Sequence, residues 1–180
     1  MRIHAVQRVA AGASLLVVLG SCRQKPADAG AFRPLDVGSE VPAYIMPSLR
    51  GDTVRLGSPQ PVTVLNVWAT WCPSCREEMS TLDGVEKRFR KDGVRVVGVS
   101  VDRGASDRVR RYVAEQHLDF AIVHDPEGIV LDRFRIPAVP TTLVIDSSGV
   151  LRWEHTGNIA DIVDQVDAEI EGLLSRTRAS

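Results

Sequence analysis

The chain has 180 residues, 44% hydrophobic and 25% charged, which suits one globular domain with a short extension and excludes collagen-like, coiled-coil and wholly disordered chains. Its 22 basic residues nearly balance 23 acidic ones, and a formal charge of -1 leaves no electrostatic footprint for nucleic acid. The three cysteines are odd in number and too few for a disulfide-stapled mini-protein, so the question is how they divide.

Residues 1–21 read as a bacterial signal peptide. Arg2 and Arg8 form a basic leader with no acid before Asp28, and Val9 to Leu19 is an apolar run too short for a comfortable membrane span. Leu19-Gly20-Ser21-Cys22 resembles a lipobox, which implies cleavage before Cys22 and lipidation of its thiol. An ordinary signal peptide with an incidental cysteine, or an uncleaved anchor, is the alternative. Two or more acyl chains on Cys22 would hold the protein firmly to a membrane, since one chain binds only marginally. Residues 22–34, with Pro26 and Gly30, read as a flexible tether.

The body, residues 35–175, alternates strands with helices, and residues 176–180 are a tail. Tyr44 to Leu49 and Thr53 to Leu56 flank Arg50-Gly51-Asp52 as an amino-terminal hairpin. Val62 to Val67 is a β-branched, buried-type strand, followed by a helix from Cys72 to about Lys91 that Gly93 closes. Val94 to Val101 is a second apolar strand, and Asp107 to Gln116 a helix with Val109, Tyr112 and Val113 on one face. A short strand over Phe120 to Val123, a turn at Asp125-Pro-Glu-Gly128 and a helical turn or two over Ile129 to Phe134 come next. Thr141 to Ile145 and Val150 to His155 are strands. A last helix carries Ile159, Ile162, Val163, Val166, Ile170, Leu173 and Leu174 on one face. The order describes an α/β fold with a mixed central sheet flanked by helices.

The chemistry concentrates in Asn66-Val-Trp-Ala-Thr-Trp-Cys72-Pro-Ser-Cys75-Arg-Glu-Glu78. A zinc site needs about four ligands, yet beyond Cys22 only this pair of thiols remains, with His117, His124 and His155 scattered. The pair sits where a buried strand gives way to a helix, so it reads as a redox dithiol and not as a metal site. With Cys72 as N-cap, Pro73 falls at the first helical position, where its missing N–H costs nothing. The N–H groups of Ser74 and Cys75 then point back to the cap, and a Cys72 thiolate gains from them and from the helix dipole. N-cap and third-position side chains face one another, so the two sulfurs can bond. Cys72 is the exposed nucleophile and Cys75 the resolving thiol. Lowering a thiol from about 8.5 to about 7 takes the thiolate fraction near neutrality from a few per cent to about half.

Val64-Leu-Asn-Val-Trp-Ala-Thr-Trp-Cys-Pro-Ser-Cys-Arg-Glu-Glu-Met79 resembles the TlpA/ResA-like branch of the thioredoxin superfamily. Gly38-x-x-Val-Pro42-Ala-Tyr is similar to that family's entry segment, and Ile136-x-x-Val-Pro140-Thr-Thr-Leu-Val-Ile-Asp146 to its second signature. The resemblance covers residues 35–175 and implies a thioredoxin-like fold. It also implies an extracytoplasmic, membrane-tethered thiol-disulfide oxidoreductase that reduces secreted or periplasmic clients, apocytochrome c among them. Its electrons would come from a membrane donor of the DsbD/CcdA type, with no bound cofactor or metal. The resemblance further implies that Pro140 is cis and faces the dithiol, that Val139 offers its backbone to an extended client segment, and that Glu78 serves proton movement or tunes the thiols. Glu78 follows Cys75 by three and shares its helix face, whereas Glu77 suits the helix dipole and needs no further role.

Asn66 stands where cytoplasmic thioredoxins carry a buried acid, and an amide takes no proton at neutral pH, which leaves Glu78 or water as relay. Trp68 reads as core, and Trp71, beside the nucleophile, as an apolar docking surface or simple packing. Ser80 stands where relatives often carry proline, so a less kinked helix is expected. The same dithiol could run oxidation. A thiol peroxidase would draw on Thr70, and a copper or haem carrier on His124 beside the thiols.

Overall fold

The computed structural model describes residues 33–57 and 61–178. The expected signal peptide 1–21, Cys22 and most of the expected tether lie outside the described residues. Among the described residues seven strands and four α-helices follow one another: β1 (Tyr44–Pro47), β2 (Thr53–Leu56), β3 (Thr63–Trp68), α1 (Pro73–Phe89), β4 (Arg95–Ser100), α2 (Asp107–Glu115), β5 (Ala121–His124), α3 (Ile129–Arg133), β6 (Thr141–Ile145), β7 (Leu151–Thr156) and α4 (Val163–Arg178). Strands β3 to β7 form one sheet in the order β5-β4-β3-β6-β7. β3, β4 and β5 run parallel, and β6 and β7 join antiparallel, so the sheet is mixed as expected.

Every residue of β3 is buried, because the strand lies at the centre of the sheet with layers on both faces. Its alternation divides the core. Val64 and Trp68 face the layer containing α1, α2 and α4, where they meet Met79, Leu82, Val109, Val166 and Ile170. Leu65 and Val67 face the layer holding the β1–β2 hairpin and α3, where they meet Tyr44, Leu56, Val130 and Phe134. Asn66 falls on the α1 face between two apolar neighbours. It pairs in register with Gly98 of β4 and Thr142 of β6.

The apolar stripe of α1 (Cys75, Met79, Leu82, Phe89) seats the helix on the sheet. Three carboxylates on the same helix are also buried, and each caps a backbone N–H elsewhere. Glu78 accepts from Ile159 at 2.8 Å, Asp83 from Asp119 at 3.0 Å and Glu86 from Val96 at 2.6 Å. These bonds satisfy backbone donors, so the helix is tied to the segments leading into α4 and β5 and to β4 itself by polar as well as apolar contacts. No interruption occurs at Ser80. A 3-10 turn over Arg90–Asp92 and Gly93 at φ 82° end the helical run, as the Gly93 stop predicts.

Two local expectations change. The hairpin turn is wider than Arg50-Gly51-Asp52, because the Ser48 N–H bonds to the Asp52 carbonyl and its hydroxyl to the Asp52 carboxylate, closing a loop with Gly51 at φ 95°. The last helix begins at Val163, not at Ile159. Glu78 takes the Ile159 N–H and the Asn158 side chain takes the Ala160 N–H, which holds Asn158 and Ile159 outside the helix, ahead of a 3-10 turn over Ala160–Ile162. The outer edges of the sheet are engaged locally. Ser48 bridges Val123 on β5, and Gly38 and Ser39 bond to Leu151 on β7. Among the described residues no helix is long and apolar enough to cross a membrane.

Candidate functional site

β3 delivers the chain to the C-terminal edge of the parallel strands, and the turn 69–72 feeds it into α1. Cys72 is the N-cap, with Pro73 inside the first turn, and its sulfur accepts the Cys75 N–H at 3.2 Å. The Ser74 hydroxyl lies 3.4 Å from the same sulfur. Cys72 and Cys75 are joined as a disulfide with Cα atoms 5.3 Å apart. Cys75 is fully enclosed, while Cys72 keeps 5% of its surface open. The order of exposure is the expected one, but Cys72 is less open than a freely exposed nucleophile. The loop ahead of β6 covers it, and the Val139 carbonyl oxygen sits 3.8 Å from its sulfur.

That loop carries the Val139–Pro140 peptide in the cis form. It is fixed from both sides. The Thr141 hydroxyl donates to the Ala138 carbonyl at 2.8 Å, and the Gly157 N–H donates to the Pro140 carbonyl at 2.8 Å. The structure therefore brings the CxxC pair and the Val139–Pro140 segment together, although 67 residues separate Cys72 from Val139.

Glu78, three residues after Cys75 on α1, is fully buried. Its Oε1 accepts from Asn66 Nδ2 at 2.7 Å and its Oε2 from the Ile159 N–H at 2.8 Å. Burial outweighs these two donors and pushes its pKa from 4.5 up to about 7. Asn66 Nδ2 also donates to the Thr142 hydroxyl at 3.0 Å, while Asn66 Oδ1 meets no partner. Glu77, by contrast, is exposed and accepts from Asn158 at 3.2 Å, in keeping with a surface role.

Trp68 is fully buried and packs at 5.4 Å against Tyr112. Trp71 is 61% exposed, which removes the simple-packing reading for it. It lines a groove with Thr70, Arg108, Arg111, Tyr112 and Glu115. A neighbouring depression adds Pro73 and Arg76 across Tyr112.

Sequence reasoning overlooked Asp102. This nearly buried carboxylate follows β4 and accepts the Thr70 N–H at 2.8 Å, the Thr70 hydroxyl and the Ser100 hydroxyl at 2.8 Å. It thus pins the turn that presents Trp71 and Cys72. An acid two residues past the end of a parallel strand was the available signal, since sites gather at such strand ends. Thr70 is committed to this anchor, and His124 Nε2 donates to the Asp102 carbonyl at 2.8 Å. Among the described residues no group of three His, Cys, Asp or Glu side chains is placed to hold a metal.

The AhpC/TSA family matches residues 37–154. The thiol:disulfide interchange protein DsbE of Yersinia pestis is 33% identical over 134 residues, 72% of this chain and 69% of that protein. The thiol-disulfide oxidoreductase ResA of Geobacillus kaustophilus is 29% identical over 138 residues, 76% of this chain and 78% of that protein. A crystal structure of a DsbE-type thiol:disulfide interchange protein from Chlorobium tepidum superposes with a TM-score of 0.72 at 25% identity, covering 78% of this chain and 99% of that one. All of these matches run through the strand-to-helix turn that carries the dithiol. The chain belongs to the AhpC/TSA family, in its thioredoxin-like branch of TlpA/ResA/DsbE-type thiol-disulfide oxidoreductases.

Proposed function

We propose that this protein reduces disulfides of extracytoplasmic client proteins, apocytochrome c being one fitting client, while tethered to the bacterial envelope through a lipidated Cys22. The observation that carries the reading is the Cys72–Cys75 pair at the α1 N-terminus, set under the Val139 carbonyl. In the reduced protein, the Cys72 thiolate attacks one sulfur of the client disulfide. A Cys72–client bond forms, and the other client sulfur leaves as a thiolate that takes up a proton. Cys75 then gives its proton to Glu78 and attacks the Cys72 sulfur. The Cys72–Cys75 bond forms and the second client sulfur leaves. Two electrons pass from the protein dithiol to the client, and a membrane dithiol donor of the DsbD/CcdA type restores the pair by the same exchange in reverse.

The helix N-terminus favours the Cys72 thiolate, and a thiolate there attacks well and also leaves well. The backbone of Val139, ahead of Pro140, offers an edge on which an extended client segment adds as a strand. Trp71 supplies an apolar anchor beside it. Arg76, Arg108 and Arg111 surround that anchor with exposed positive charge, balanced in part by Glu77 and Glu115.

The test is trapping. Cys75→Ala leaves the Cys72–client bond unresolved, and mass spectrometry of the disulfide-linked species names the client. Absence of any linked partner in both reducing and oxidising backgrounds sinks the reading. Equilibration of the wild-type pair against glutathione sets direction, since a potential well below the poise of the compartment supports reduction.

A further inference from the structure

We infer that Asn66 is a positioning residue whose side-chain amide turns end over end as Glu78 gains and loses its proton, so that one buried residue serves both states of the relay. The inference deepens the reading of Glu78 given above and rests on it.

One partner of Glu78 cannot reverse. The Ile159 N–H is a backbone donor, and it points at Glu78 Oε2 from 2.8 Å. A protonated oxygen at that position would set one hydrogen against another, so the proton of a neutral Glu78 belongs on Oε1. In the present arrangement, however, Oε1 also faces a donor, Asn66 Nδ2 at 2.7 Å. That geometry suits only the ionised carboxylate, which accepts from both sides.

Asn66 can resolve the conflict because its amide carries an acceptor at one end and donors at the other. A half-turn places Oδ1 where Nδ2 now sits, and the Oε1–H of a neutral Glu78 then donates to it. The second partner tolerates the same reversal. Thr142 Oγ1 accepts from Nδ2 at 3.0 Å, and a hydroxyl becomes a donor to Oδ1 by rotating its proton. Both neighbours of the amide therefore change polarity together, one by titration and the other by rotation.

The amide is held in its present sense only by the two partners of Nδ2, and both can reverse polarity. Asn66 is fully buried, and its Oδ1 meets no protein partner. The turn exchanges an orphaned acceptor for an orphaned donor. By contrast, a carboxylate at position 66 would itself titrate, and an apolar side chain would leave the ionised Glu78 short of a donor.

The groups around Glu78 keep the exchange local. β3 contributes Asn66, β6 contributes Thr142 through it, and the loop before α4 contributes the Ile159 amide. On α1 itself Glu77 is turned outward to Asn158, and Cys75 precedes Glu78 by three residues, on the same helix face. Removing a client bond through Cys75 thus delivers a proton to a site whose hydrogen-bond partners reverse without any backbone movement.

The test uses the folded wild-type protein in its reduced form, followed by NMR from acid to alkaline pH. Two signals are read: the Glu78 side-chain carboxyl carbon and the Asn66 side-chain N–H pair. The expected result is that both titrate with one midpoint, and that the Asn66 pair loses its hydrogen bond to Glu78 on the acid side. Glu78→Gln supplies a fixed mimic of the neutral state, because the Ile159 N–H demands the Gln oxygen and turns its NH2 toward Asn66. In that variant the Asn66 pair is expected at its acid-side position at every pH. A titrating Glu78 beside an unchanged Asn66 pair overturns the turn and leaves the relay standing, as does a Glu78→Gln protein whose Asn66 pair stays at the alkaline position. A Glu78 carbon that does not titrate overturns the relay itself.

Discussion

The sulfur of Cys72 lies 3.8 Å from the carbonyl oxygen of Val139. A thiolate facing a carbonyl is repelled, whereas a disulfide sulfur is not, so the contact suits the oxidised pair shown in the structure. The first expectation concerns the two sulfurs. Cys72→Ser abolishes turnover of a disulfide substrate, because the attacking thiolate is gone. Cys75→Ser leaves one attack possible and stops at the mixed disulfide. Non-reducing electrophoresis after mixing with an oxidised peptide distinguishes the two: a linked product appears for Cys75→Ser alone.

Glu78 gives the oxidised protein a defined dependence on pH. Its folded pKa of about 7 lies above the ordinary 4.5, so the neutral form is favoured in the fold. The associated stability is fully present below about 4.5 and is lost as pH rises through about 7. The shift corresponds to about 3 kcal/mol at alkaline pH. Urea unfolding of the disulfide form at pH 5 and pH 9 is expected to show this loss for wild type and a much flatter profile for Glu78→Gln.

Asp102 anchors the turn before Cys72 through three hydrogen bonds. Asp102→Ala removes an acceptor from the Thr70 N–H and from two hydroxyls, and is expected to destabilise the fold by about 2–4 kcal/mol, since bonds to charged groups are worth about 1.5–3 kcal/mol each and add incompletely. The disulfide exchange rate should fall as well, because the turn presents both Trp71 and Cys72. Unfolding curves together with stopped-flow exchange rates check this, and an unchanged midpoint refutes the anchoring role.

Gly98 sits beside the Trp68 indole, and a methyl group there meets Ile122 Cδ1 at 2.8 Å, Phe120 Cε2 at 3.0 Å and Trp68 Nε1 at 3.1 Å. Gly98→Ala is expected to cost about 1–3 kcal/mol by overpacking. Tryptophan fluorescence and the thermal midpoint should both move.

Trp71 is the exposed aromatic next to the nucleophile. Trp71→Ala is expected to raise KM for a folded client about 5–30-fold, the range of about 1–2 kcal/mol at an aromatic anchor. Exchange with a small disulfide such as oxidised glutathione should change little. Arg108→Glu with Arg111→Glu should weaken an acidic client peptide more than a basic one, and added salt should reduce the difference.

Much of the fold was legible because periodicity and burial agree. The continuous β-branched run of β3 and the apolar stripe of Val166, Ile170 and Leu173 on α4 are one-dimensional patterns that the structure bears out. The dithiol was legible for the same kind of reason, since Cys72, Pro73 and Cys75 interact within a single helical turn. The expectation failed locally where a distant group competes for the backbone. Ile159 has the right spacing for α4, but its N–H belongs to Glu78, 81 residues away in sequence.

By itself, then, the sequence determined the order of elements, the mixed sheet and the working pair of cysteines. The tertiary structure alone decided that Asp102 holds the active-site turn, and that Asn66, Thr142 and Ile159 converge on Glu78. The physical reason is that burial and hydrogen-bond satisfaction belong to groups brought together across the sheet, and no local spacing encodes which donor meets which acceptor.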